Sequence, residues 1–177
     1  MPMRRLLPIL LLALFLVPVA GAVRPQAPGD GTLSVRNGEG DIRLLAVRGA
    51  LVGRLGSGVI EVEVEASRGD SCDELPIFGE TKTELRKRKS PVGTVALCVL
   101  RGAGIRFRLT GEQSSVHVNG KDIDLSVVGK GGVMLKGRGD GPDGSYSLNG
   151  AEYQSLPDSV DWLLLGSPAA AAAVARG

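Results

Sequence analysis

Gly58-Val59-Ile60-Glu61-Val62-Glu63-Val64-Glu65 alternates apolar and acidic residues with a period of two. That period sorts the two residue types onto opposite faces of an extended strand; a helix would mix them. Ile105-Arg106-Phe107-Arg108-Leu109 repeats the pattern with arginines, Ile123-Asp124-Leu125-Ser126-Val127 does so again, and Ser115-Val116-His117-Val118 does so briefly. Each reads as a half-buried antiparallel strand, one face in the core and one in water. Further strand candidates are 32–35, 41–47, 50–55, 94–100, 133–136, 145–148 and 160–165. Their starts recur about every 8–10 residues, a spacing that suits a sandwich, barrel or roll. The expectation is one all-β domain over 31–165, built of short antiparallel strands as a sandwich or β-roll. A short β-solenoid of stacked turns is the alternative.

Asn37-Gly38, Asn119-Gly120 and Asn149-Gly150 each follow a strand candidate. Both residue types tolerate positive φ, so the pairs predict tight hairpin turns. An internal echo is also present. Asn37-Gly38, Asp41-Ile42, Leu44, Val47, Val52 and Gly56 align with Asn119-Gly120, Asp122-Ile123, Leu125, Val128, Val133 and Gly137, and this suggests a duplicated block. Between the blocks, 66–92 is too long for an ordinary connection. Within it, Glu80 to Lys89 suggests a short polar helix. Val160, Trp162 and Leu164 alternate, which places Trp162 in the core.

Residues 1–22 have the form of a secretory signal: Arg4 and Arg5, an apolar run from Leu6 to Val17, then Pro18 and the small residues Ala20-Gly21-Ala22. An uncleaved anchor is the other reading, although the stretch from Leu6 to Val23 is barely long enough to span and holds two prolines. Residues 23–30 read as a linker and the Ala-rich 166–177 as a disordered tail. The chain has 21 Lys+Arg and 19 Asp+Glu; loss of Arg4 and Arg5 leaves the mature chain neutral. A neutral chain exerts little pull on phosphate backbones, which argues against nucleic acid as a partner. Export exposes Cys72 and Cys98 to oxidising conditions and predicts one disulfide, closing a loop of about 27 residues worth roughly 3.5 kcal/mol. Two unpaired thiols are the alternative. Their spacing matches no zinc pattern, and with one histidine no metal site is expected.

His117, the single histidine, would have to serve any Ser-His-Asp chemistry; that requires a concave pocket with a Ser or Asp in hydrogen-bond reach. No GxSxG elbow or phosphate-binding GxxxxGK[ST] loop occurs, and no cofactor is expected. Glu61, Glu63 and Glu65 share one strand face, so they do not oppose each other across a cleft as glycosidase acids do. They are expected to face Arg106 and Arg108 on a neighbouring strand. Lys136 to Gly144 resembles one glycine/aspartate calcium turn, and a lone copy reads as a polar loop. Arg-Gly-Asp at 68–70 and 138–140 resembles an integrin-binding tripeptide and reads as two turns. Arg86-Lys87-Arg88-Lys89 is a candidate binding run for an anionic partner, with a solvated loop as the bland reading.

Four stretches together carry a resemblance: Gly-Thr-Leu-Ser-Val-Arg-Asn-Gly-Glu-Gly at 31–40, Gly-x-Gly-Ile-Arg-Phe-Arg-Leu-x-Gly at 102–111, Ile-Asp-Leu-Ser-Val-Val-Gly-Lys-Gly at 123–131 and Tyr-Ser-Leu-Asn-Gly-x-x-Tyr-x-x-Leu-Pro at 146–157. The chain resembles small exported β-rich proteins of high-GC Gram-positive bacteria, least so over 72–89. The resemblance implies a β fold and export, and it transfers no catalytic residue. The expected function is an exported, non-enzymatic protein, secreted or at the cell surface, that binds a protein or an envelope component. It would meet the membrane only through the signal segment. The alternative is a small secreted hydrolase using His117.

Overall fold

The structure, a computed structural model, describes residues 30–64, 72–73, 75–90, 93–139 and 142–166. The leader expected at 1–22, the linker up to residue 29 and the tail beyond Gly166 lie outside the described residues. The fold is all-β, a single antiparallel sheet with no helix among the described residues, and it does not close into a barrel. Its strands are β1 (Gly31–Val64), β2 (Ile77–Ser90), β3 (Gly93–Gly137), β4 (Ser145–Leu148), β5 (Gln154–Ser155) and β6 (Asp161–Leu165).

The register explains how 34- and 45-residue strands fit one domain. Val62 faces Cys98 on one side and Val116 on the other; Gly49 likewise sits between Gly111 and Gly129. The two β3 partners of one β1 residue are eighteen residues apart, or seventeen before the bulge where Ala46 (φ 50°) adds a residue to β1. The β1/β3 ribbon therefore comes back alongside itself once per eighteen residues and bonds to its own previous turn. It is a two-stranded antiparallel ribbon wound into a flattened roll. The strands are long and bent where short separate ones were expected.

The bends are glycines set nine residues apart, two per turn. Gly40, Gly49 and Gly58 on β1, and Gly111, Gly120 and Gly129 on β3, have φ between 144° and 159°. Side chains rarely tolerate that conformation, and the neighbouring run passes too close for one. A Cβ on Gly49 would sit 2.0 Å from the Val128 carbonyl oxygen, and one on Gly120 2.1 Å from that of Ser57. Between bends, alternate residues point inward and stack across the strands. Leu135, Ile42, Val118, Ile60 and Leu100 form one such column; Leu33, Val127, Leu51 and Leu109 form another. Each fully buried aliphatic side chain contributes about 1.5–3 kcal/mol.

Several sequence expectations change on this frame. Asn149-Gly150 is a tight turn with φ 53° and 76°. Asn37-Gly38 and Asn119-Gly120 are not hairpins: both lie within continuous strands, the first at a bulge (Asn37 φ 48°) and the second at a bend. The echo matches in part: Ile42 and Leu44 are buried, as are Ile123 and Leu125, but the agreement ends there. Val47 is buried while its counterpart Val128 is 43% exposed, and exposed Val52 aligns with buried Val133. Glu80 to Lys89 is strand, not helix, and pairs along its length with β3 from Ala103 to Thr94. Leu85 pairs with Cys98 and packs on the core, while the charged residues face water. Trp162 is 59% exposed; in β6 it is Leu163 and Leu165 that turn to the core. Cys72 and Cys98 are joined by a disulfide, with Cα atoms 5.7 Å apart and Cys98 fully buried.

Candidate functional site

Residues on the outward side of the ribbon stack into columns just as the core residues do. One column centres on His117, whose neighbours Val116 and Val118 are buried. The register sets His117 between Arg43 and Glu61. Its Nε2 lies 2.9 Å from Asp41 Oδ2 and its Nδ1 3.1 Å from Glu61 Oε2. Arg43 Nε donates to Asp41 Oδ1 at 3.1 Å. Desolvation raises the Asp41 pKa, but hydrogen bonds from Arg43 and His117 outweigh it and hold the carboxyl below its usual range.

His117 therefore meets one requirement of the hydrolase reading, an aspartate in reach, within a depression of ≈ 140 Å³ that Ser115 also lines. The chemistry does not follow. Both ring nitrogens are already taken up by carboxylates, Asp41 at Nε2 and Glu61 at Nδ1. A general base needs one nitrogen open to accept a proton. The Ser115 hydroxyl oxygen instead faces the Ala46 N–H at 3.5 Å.

His117 thus acts as a clamp between two runs of β1. His117→Ala is expected to cost about 1 kcal/mol near pH 6. Because the Asp41 pKa is lowered in the fold, its contribution is present above the unfolded carboxylate value and is lost as pH falls through the folded value. The gap between variant and parent in urea titrations should narrow as the pH falls through the range in which Asp41 takes up its proton in the fold. A gap that stays constant with pH would contradict the clamp.

The second outward region is larger. Asp124 lies across from Arg54, Arg54 from Arg106, and Arg106 from Phe78. Arg36 stands beside Asp124, past the bulge at Asn37. Alongside runs a second column, Ser34, Ser126, Val52 and Arg108. Between the columns lies an open groove of ≈ 610 Å³, with the strand backbone at Val35, Leu125, Gly53 and Phe107 as its floor. All four arginines are exposed, as are Val52 (49%) and Phe78 (63%). Arg36 lies over the Tyr153 ring, 4.0 Å from its centroid.

Asp124 is the single acid lining the groove. It accepts from Arg54 Nε at 2.6 Å and from the Asn37 N–H at 2.8 Å. Burial pushes its pKa up, but those donors prevail and keep it low. Arg106 and Arg108 have no acidic partner among the described residues. The groove thus carries four guanidinium groups against one carboxylate already committed.

The expected pairing of Arg106 and Arg108 with Glu61 and Glu63 does not occur. Glu61 faces Val99 and His117, and Glu63 faces Leu97, whereas Arg106 and Arg108 face Arg54 and Val52. Glu65 lies outside the described residues. Sequence reading placed Arg106 and Arg108 on a wet face but missed that Arg36, Arg54 and Phe78 join them. The available signal was the eighteen-residue interval from Arg36 to Arg54 and from Arg106 to Asp124.

Arg86, Lys87, Arg88 and Lys89 lie on β2, at the end of the strand order. Arg86 is paired with Glu84 at 2.7 Å and Arg88 with Glu63 at 3.2 Å; Lys87 also has a partner. Alternation points neighbouring residues of this run to opposite faces. Such charges suit a terminal strand, where they discourage pairing with another chain. In the polar loop that resembles a calcium turn, Asp143 Oδ2 accepts the Gly139 N–H at 2.7 Å, and no three metal-binding side chains cluster among the described residues. Residues 68–70 and Asp140 of the two Arg-Gly-Asp sequences lie outside the described residues, and Arg138 pairs with Glu39. Comparison with known proteins returns no matching family model, curated protein or solved structure.

Proposed function

We propose that this chain is an exported, non-enzymatic binding module that holds an anionic partner of the cell envelope or surroundings in its arginine groove. One observation carries the reading: four exposed arginines around an open ≈ 610 Å³ groove, with Arg106 and Arg108 lacking acidic partners among the described residues. Exposed guanidinium groups fixed on a rigid sheet are well placed to take carboxylate or phosphate groups in paired hydrogen bonds. The disulfide is compatible with an extracellular location. Both ring nitrogens of His117 face carboxylates, so no observation favours the hydrolase.

The test is co-sedimentation of the chain from residue 23 onward with purified bacterial cell walls. Binding is expected to weaken with salt and to fall at least tenfold in the double variant Arg106→Glu, Arg108→Glu. The paired variant Lys87→Glu, Lys89→Glu should bind like the parent. No sedimentation, or equal sedimentation of parent and groove variant, would overturn the reading. So would ester hydrolysis that disappears in His117→Ala.

A further inference from the structure

We infer that the groove takes an acidic glycan: a chain of sugar rings bearing carboxylates, lying across the strands. This rests on the arginine groove being a binding site.

The first argument is spacing. Neighbouring strands lie about 4.8 Å apart, so Arg36, Arg54 and Arg106 span three steps, about 14 Å. They occupy the first, third and fourth places of a column whose second place is Asp124. One strand step is close to the length of one extended hexose. A polymer of linked sugar acids can therefore set carboxylates at the first, third and fourth places, against Arg36, Arg54 and Arg106, while the ring at the second place crosses Asp124. The sheet fixes the backbone interval, and Arg36 and Arg54 are already held by Tyr153 and Asp124, so the ordering cost falls mainly on Arg106.

The second argument is the character of the walls. Phe78 closes one end of the column with an exposed ring, a flat apolar surface of the kind on which a sugar face packs. Ser34 and Ser126 in the parallel column supply hydroxyls for sugar oxygens. Tyr153 marks the far end; its hydroxyl hydrogen-bonds with Ser34 Oγ at 2.8 Å, while its ring lies beneath Arg36. The groove thus carries guanidinium groups at three of the four places of one column, hydroxyls on the other side and an aromatic ring at its end.

Other polyanions fit less well. Single-stranded nucleic acid binds through several open aromatic platforms, and here Arg36 already lies over the Tyr153 ring, which leaves Phe78 as the open ring lining the groove. An extended acidic peptide recognised by strand addition needs a sheet edge. The groove instead lies in mid-sheet: Arg54 and Arg106 belong to β1 and β3, both paired on two sides.

The experiment is calorimetric titration of the chain from residue 23 with oligogalacturonate. Its methyl ester, inorganic polyphosphate, oligoglutamate and oligo-dT serve as the comparison arms. Oligogalacturonate is expected to bind and its methyl ester to lose at least tenfold. Arg106→Gln should weaken binding about tenfold and Phe78→Ala several-fold, a change that a bare anion would not register. Both side chains are exposed, so the variants should keep the parent's denaturation midpoint. Stronger binding of polyphosphate, oligoglutamate or oligo-dT than of oligogalacturonate, still dependent on Arg106, would overturn the glycan and leave the groove standing. Binding of no probe, or binding indifferent to Arg106, would overturn both.

Discussion

Gly49→Ala is expected to destabilise the protein by about 3 kcal/mol or more, enough to leave much of a marginally stable domain unfolded. Two penalties coincide. The backbone at Gly49 holds φ at 151°, where an L side chain is strained. The new methyl would also sit 2.0 Å from the Val128 carbonyl oxygen, which belongs to a strand on the adjoining turn and cannot swing aside as a side-chain tip can. Relief requires the two turns to part, and that breaks hydrogen bonds along both. Gly150→Ala is the control. It also has positive φ (76°), but nothing lies within 4 Å, so its cost should stay near 1–2 kcal/mol. Urea denaturation by circular dichroism measures both. Equal midpoints for the two variants would show that the close approach of the turns at Gly49 contributes nothing.

The double variant Cys72→Ala, Cys98→Ala is expected to lose about 3 kcal/mol. The bridge closes a loop of about 27 residues, and breaking it restores that freedom to the unfolded chain. The loop contains β2, which pairs only with β3 among the described residues, so β2 should loosen first. Amide exchange would show faster exchange at Thr83 and Leu85 than at Ile42 and Leu44, which lie between two β3 runs. Uniform acceleration would mean that the bridge supports the roll as a whole. An unchanged denaturation midpoint would show that it adds no stability.

The alternation of apolar and charged residues was legible because it depends on the strand alone. Ile60 and Val62 are buried while Glu61 and Glu63 face outward. The winding was not legible. Strand starts every 8–10 residues were the trace of nine-residue legs between glycine bends, but nothing local reveals which legs become neighbours. That register decides that Arg106 meets Arg54 and Phe78 rather than the glutamates, so the groove stayed hidden with it. In β6 the four residues from Trp162 to Leu165 are all apolar, and alternation alone does not fix their phase; Leu163 and Leu165 turned in and Trp162 out. His117 was read correctly as outward, but the two carboxylates flanking it come from β1, more than fifty residues earlier.

The winding also constrains how the chain acquires its shape. Val64 meets Ala96 across the shortest stretch, and Gly31 must wait for Gly129. The ribbon is therefore expected to begin at its connected end and zip toward the termini, with loop closure making the process slow. Until the second run has emerged, the first has nothing to bond to. A polypeptide of this kind stays threadable through most of its synthesis, the condition that the proposed export would require.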